Sequence, residues 1–198
     1  MKYAAAFRKK FGALGTFTVR DASVFLTRLG ASSGYVRLLL HDLAKMGELK
    51  RITRGAYTFA DESDAVGQAF SPYYYGLQDA LSIHGLWEQE TNPVVITPRM
   101  VRPGIRQFLG ANYLVRRISR RMFFGYGPVL HAGKWVNASD VEKTLVDYAY
   151  YNAPLPPESL EEIKRRLDKK KLDSYLKRCS PRTTKKVRAW LKAQIGKK

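Results

Sequence analysis

The chain has 198 residues, and 35 Lys and Arg against 17 Asp and Glu leave a formal charge of +18. Hydrophobic residues at 45% and aromatics at 12% suffice for a sizeable core, which excludes a wholly disordered basic chain, and the single cysteine, Cys179, excludes a disulfide framework or a multi-cysteine zinc site. Every apolar run is far shorter than the roughly 18 residues of a spanning helix, and the N-terminal residues lack the long apolar core of a secretory signal, so a reducing, cytoplasmic location without a membrane partner is expected.

In chain order, Lys2 to Phe11 predicts a first helix ended by Gly12 and Gly15. Thr18 with Asp21 three residues on forms a variant capping box and opens a second helix, through Phe25 to Leu29. Ser32 or Ser33 then caps a third, in which Val36, Leu39, Leu40, Leu43 and Met46 recur at helical spacing, leaving Tyr35, Arg37, His41 and Lys45 on the opposite face. Glu48 to Ile52 and Ala56 to Phe59 read as two short strands around a turn at Arg54-Gly55. Helix, helix, capped helix and hairpin make a winged helix-turn-helix over residues 1–62. Such a fold lays its recognition helix in the major groove, so Ser33, Tyr35, Arg37 and His41 are expected to face DNA bases, with Lys50, Arg51 and Arg54 on phosphates and Lys45 also counted among the DNA-binding residues. Any one of these side chains can equally be a solvated residue, and Tyr35 can pack against the wing; the set carries more weight than its members.

After Asp61-Glu62-Ser63-Asp64, a polar stretch suited to a linker, residues 63–153 read as a mixed α/β domain. Leu77, Ala80, Leu81 and His84 share a helical face before Gly85. Val94 to Thr97, Tyr113 to Ile118 and Met122 to Tyr126 read as strands, and Asp140 to Tyr151 as a helix with acidic residues in its first turn. Residues 154–198 follow Pro154-Leu155-Pro156-Pro157 as two basic amphipathic helices packed on that domain. The first runs from Glu158 to Arg178; the second starts at Thr183 or Thr184 and buries Val187, Trp190, Leu191 and Ile195. The fold class is thus α+β. Charge is unequal along it: 11 basic and 5 acidic side chains (+6) in 1–62, 9 and 7 (+2) in 63–153, and 15 and 5 (+10) in 154–198. Two basic blocks around a neutral centre point to anionic partners. Lys169, Lys170, Lys171, Lys185, Lys186 and Arg188 form the expected partner surface of the tail, open to DNA, an acidic protein or RNA.

The wing ending Arg54-Gly55-Ala56-Tyr57, the Tyr74-Tyr75, Ala80-Leu81 and His84-Gly85-Leu86 segment, Phe123-Phe124-Gly125-Tyr126, and Asp140-x-Glu142-Lys143-x-x-x-Asp147 occur in an order that resembles the AbiEi-type antitoxins of type IV toxin–antitoxin, or abortive infection, systems. The resemblance implies an autorepressor that binds inverted repeats in its own promoter DNA, with a second domain that counteracts a nucleotidyltransferase-like toxin, directly or indirectly. Catalysis is not expected. Asp140 and Asp147 share a helix face that Glu142 does not, which does not suit metal-dependent chemistry, and the Gly-Ser of a nucleotidyltransferase is missing. His84, Asp140, Glu142, Lys143 and Asp147 are instead expected to be structural, with Glu142 or Lys143 paired to the Arg-rich strand and His84 hydrogen-bonded among aromatics. No metal or cofactor is expected. The alternatives are a stand-alone winged-helix regulator whose second domain senses a ligand or dimerises, and an RNA-binding accessory protein.

Overall fold

The computed structural model describes residues 2–61, 66–89 and 91–193, so Glu62, Ser63 and Asp64 of the expected linker and Ile195 of the last helix lie outside the described residues. Among the described residues the protein is a mixed α+β fold with eight α-helices and nine strands in two sheets, and no helix is long and apolar enough to cross a membrane. It divides into two compact units. One comprises the residues up to Ser71 together with Arg106–Tyr113; the other comprises Pro72–Ile105 and everything from Leu114 onward.

The first unit is built from α1 (Ala4–Phe11), β1 (Phe17–Thr18), α2 (Val19–Arg28), α3 (Ser33–Lys45), β2 (Lys50–Thr53) and β3 (Ala56–Thr58). The strands form an antiparallel sheet in the order β1-β3-β2. Thr18 and Asp21 close a full capping box on α2, each side chain bonding the other's backbone N–H. Ser32 caps α3 by accepting from the Tyr35 N–H at 3.2 Å, which puts Ser33 at the first helical position. The predicted stripe of α3 is inside: Val36, Leu39, Leu40 and Leu43 are buried, whereas Met46 lies past the helix end and is 51% exposed. They meet an aromatic cluster in which Phe7, Phe11 and Phe17 contact one another at centroid separations of 4.5–5.4 Å. Residues 106–113 tie onto β2, with Arg106 donating to Thr53 Oγ1 and Tyr113 donating its hydroxyl to the Ile52 carbonyl at 2.9 Å.

The second unit holds β4 (Tyr74–Tyr75), α4 (Gln78–Ile83), β5 (Val94–Thr97), β6 (Gly104–Phe108), β7 (Ala111–Arg117), β8 (Tyr126–His131), β9 (Lys134–Ser139), α5 (Val141–Tyr151), α6 (Pro157–Arg166), α7 (Lys169–Leu176) and α8 (Pro181–Lys192), the outer parts of β6 and β7 counting with the first unit. Its mixed sheet runs β6-β7-β5-β4-β9-β8, with β4 antiparallel to β5 and parallel to β9. Helix α5 is buried from Glu142 to Ala149 on every side, the condition of a helix at the centre of a unit. Two predicted elements differ. Glu158 to Arg178 is two helices, because Leu167 is extended and Asp168 caps a new helix by accepting from the Lys171 N–H. Met122 to Tyr126 is not a strand: a short 3₁₀ turn at Arg120–Met122 leads through Gly125 at φ +68°, and β8 begins at Tyr126. Gly125 is required twice over there, since a Cβ would also lie 2.9 Å from Lys143 Cβ and from the Tyr175 ring.

Candidate functional site

On the first unit, Ser33, Arg37, His41 and Lys45 form an exposed row along α3 at i, i+4 spacing, outside the buried stripe. His41 sits 3.3 Å from the Asp42 carboxylate. Arg51 and Arg54 are exposed on the β2–β3 hairpin, the Arg51 Nε donating to the Thr53 carbonyl at 3.3 Å. Two expected members fall out of this surface. Tyr35 is half-buried, its hydroxyl accepting from the Tyr3 N–H at 3.0 Å and its ring edge-on to Tyr3 at 5.4 Å, so it fastens α3 to the start of α1 and does not face a groove. Lys50 is half-buried and ion-paired to Asp61, which removes it from the phosphate set. What remains is a helix face and a hairpin tip carrying Arg37, Lys45, Arg51 and Arg54.

The second unit gathers its motif residues into a closed core. Asp147 is fully buried and takes a hydrogen bond from Tyr74 Oη at 2.9 Å and an ion pair from Lys143, itself fully buried one helical turn back. The Lys143 ammonium also lies 5.4 Å from the Tyr74 ring centre and 5.1 Å from that of Phe124. Burial pushes the Asp147 carboxyl up, against the pull of Lys143 and Tyr74, and burial with the Asp147 charge raises the Tyr74 phenol well above its ordinary value. His84 Nε2 donates to the Ser139 carbonyl at 2.7 Å, while the Ser139 and Thr144 hydroxyls meet at 2.9 Å. The expected pairing of Glu142 or Lys143 with the Arg-rich strand is not found. Lys143 is satisfied within α5, and Glu142 accepts from the Asp168 N–H at 2.7 Å and pairs with Lys171 at 3.1 Å.

Asp140 completes a staple between α5 and α7. It caps α5 through the Lys143 N–H at 2.7 Å, accepts from Tyr175 Oη at 2.8 Å and pairs with Lys171 at 3.1 Å. Lys171 is therefore tied to α5 by two ion pairs, its side chain still 41% exposed, and is not a free partner-facing cation. Its pKa is raised, because the hydrogen bonds to Glu142 and Asp140 outweigh the desolvation that pulls it down. The Tyr175 phenol is pushed up to about 12 by burial and its bond to Asp140. Both groups hold their protons more tightly in the folded chain than in the unfolded one. The contribution of Tyr175 is complete below a pH of about 10 and is lost as pH rises through about 12, and that of Lys171 is lost higher still. Thermal midpoints measured across that window are expected to fall, and to fall less steeply in Tyr175→Phe, which starts lower but has no phenol to ionise.

Of the other expected tail cations, Lys186 is also engaged, bonding Asn152 Oδ1 at 2.6 Å and lying 4.8 Å over the Trp190 ring. Lys169, Lys170, Lys185 and Arg188 are exposed, and Lys185 and Arg188 line an open recess of about 570 Å³ with Cys179, Thr184 and Lys192. The cysteine is free and its thiol is pushed up by burial, the reverse of what a reactive nucleophile needs. Among the described residues no group of three or more His, Cys, Asp or Glu side chains is placed to hold a metal ion.

No protein-family model and no curated protein matches the sequence. Among solved structures, the chain is similar to the RV2827C protein from Mycobacterium tuberculosis, with a TM-score of 0.62 at 12% sequence identity over 96% of this chain and 76% of that one. The likeness is one of fold, and it extends over nearly the whole chain.

Proposed function

We propose that the protein is a non-enzymatic, DNA-binding antitoxin of the cytoplasm: the first unit is a winged helix-turn-helix that binds promoter DNA, and the second counteracts a nucleotidyltransferase-like toxin. The observation that carries the DNA reading is the separation of faces on α3. Its apolar stripe is inside, and the row Ser33, Arg37, His41 and Lys45 is outside beside a hairpin that exposes Arg51 and Arg54. A helix placed so presents side chains of the length and donor chemistry that reach base edges, with hairpin cations at the height of the phosphates.

For the second unit, the motif residues of the antitoxin resemblance supply architecture. Lys143, Asp147 and Tyr74 lock α5 against the sheet, His84 ties the end of α4 to β9, and Asp140 and Glu142 staple α7 to α5. The exposed Lys169, Lys170, Lys185 and Arg188 are left to meet the toxin or its nucleic-acid substrate. A reporter driven by the gene's own promoter tests repression: the wild-type chain silences it, and Arg37→Ala with Arg54→Ala releases it. The antitoxin reading requires a nucleotidyltransferase-like reading frame beside the gene, and co-expression with its product tests the second unit. The repression-defective chain, supplied from an unrelated promoter, still rescues growth; its failure to do so would tie protection to repression alone.

A further inference from the structure

Beside the row of Ser33, Arg37 and His41 on α3 runs a second, formed by Gly34 and Leu38, and nothing among the described residues accounts for it. Leu38 is 56% exposed, although the helix has four other apolar residues that are buried. Gly34 has ordinary helical backbone, so no left-handed conformation demands glycine, and a Cβ there would meet only Ser32 Oγ at a relaxed 3.9 Å. Glycine within a helix weakens it relative to alanine. A residue that costs stability and relieves no internal crowding is explained by something approaching from outside.

Resting on the reading of the first unit as a duplex-DNA binder, we propose that Gly34 and Leu38 form a thymine-reading notch on α3. Gly34 lets the DNA come close to the first turn of the helix, and Leu38 covers the C5-methyl group of one thymine. Three features select this occupant. Arg37 and Lys45 are exposed cations on the same helix, the hairpin of the same unit exposes Arg51 and Arg54, and the one carboxylate on α3, Asp42, is engaged by His41. On α3 the residues three and four positions from Leu38 are Gly34, Tyr35, His41 and Asp42, so along this helix it offers a single apolar spot, where an apolar protein partner would need a continuous patch. A thymine methyl is a single apolar group flanked by hydrogen-bonding base edges, and contact with it is a regular means of base discrimination in the major groove. Leu38 would then add to the base reading of Arg37 and His41, while Arg51 and Arg54 set affinity.

The probe is a duplex enriched by the full-length chain from a random-sequence pool, resynthesised with each thymine in turn replaced by uracil, which removes the methyl group and nothing else. At one position the wild-type chain should bind the uracil duplex about fourfold more weakly, the value of one buried methyl group. Leu38→Ala should lose about the same factor on the thymine duplex, no longer distinguish uracil there, and keep the wild-type salt dependence. Gly34→Ala should fold with an equal or higher thermal midpoint and yet bind at least about tenfold more weakly, the size of effect expected when one good base contact is displaced. Full tolerance of uracil at every thymine, or discrimination that survives in Leu38→Ala, overturns the thymine assignment and leaves the DNA reading standing. Wild-type binding by Gly34→Ala overturns the close approach. A pool that yields no enriched sequence overturns the DNA reading and the notch together.

Discussion

Lys143→Met is expected to destabilise the second unit by about 3–5 kcal/mol in urea unfolding, the usual cost of leaving one member of a buried ion pair without its partner. The physical reason is that Asp147 has no route to solvent: it is fully buried, and Tyr74 supplies a single hydrogen bond where the ammonium supplied a charge. Domains of this size have only about 5–15 kcal/mol in total, so the variant sits close to unfolding at ordinary temperature. Two companion results identify the mechanism. Burial already raises the Asp147 carboxyl, and without Lys143 it rises further, so the variant recovers stability as pH is lowered and the acid becomes neutral. Lys143→Met with Asp147→Leu is less destabilised than Lys143→Met alone, because no charge is left stranded. A single variant as stable as the wild type would mean that the pair is solvated and that α5 is not the centre of the unit.

The second large effect is a split between two kinds of DNA-facing side chain. Replacing Arg37 or His41 with alanine should cost about 1–3 kcal/mol on the preferred duplex and little on random DNA, because a base contact is worth that much only where the right base is present. Replacing Arg51 or Arg54 should weaken binding to every duplex alike and reduce the slope of log affinity against log salt by about one per lost phosphate contact. Titrations at several salt concentrations, with each variant on both duplexes, separate the two. Equal losses on both duplexes from all four substitutions would remove the base-reading role from α3.

Much of the first unit is legible in the sequence because its signals are local. The Thr18–Asp21 box and the buried stripe Val36, Leu39, Leu40 and Leu43 are read within a few residues, and the same holds for strand Val94–Thr97, which lies where its apolar run predicts. The hairpins β6–β7 and β8–β9 were hidden for a specific reason. Their two-residue turns place Leu109 at φ +50° before Gly110, and Ala132 at φ +48° before Gly133, where an Asn or Asp would have announced the turn. The break between α6 and α7 has no glycine or proline to mark it; only the cap from Asp168 does.

The candidate site divides in the same way. Arg37, His41, Lys45, Arg51 and Arg54 are on the surface because helix period and hairpin geometry decide that locally. Tyr35, Lys50, Lys171 and Lys186 are taken by partners from distant parts of the chain: Tyr3, Asp61, Asp140 with Glu142, and Asn152. A run such as Lys169-Lys170-Lys171 reads as uniform charge, yet its third member is drawn inward by two carboxylates some thirty residues earlier (171 − 140 = 31, 171 − 142 = 29) that only the fold brings near. The tail's share of the +18 is smaller as free surface than as a count.

The central claim, that the first unit reads duplex DNA by sequence, is tested most directly by one ratio: the affinity of the full-length chain for a duplex spanning its own promoter, divided by that for a random duplex of equal length, at about 150 mM salt. A sequence-reading α3 predicts a ratio on the order of 10³ or more, with both affinities falling as salt rises. A ratio near one, whatever the absolute affinity, would mean that the positive charge binds polyanions without reading them and would contradict the account.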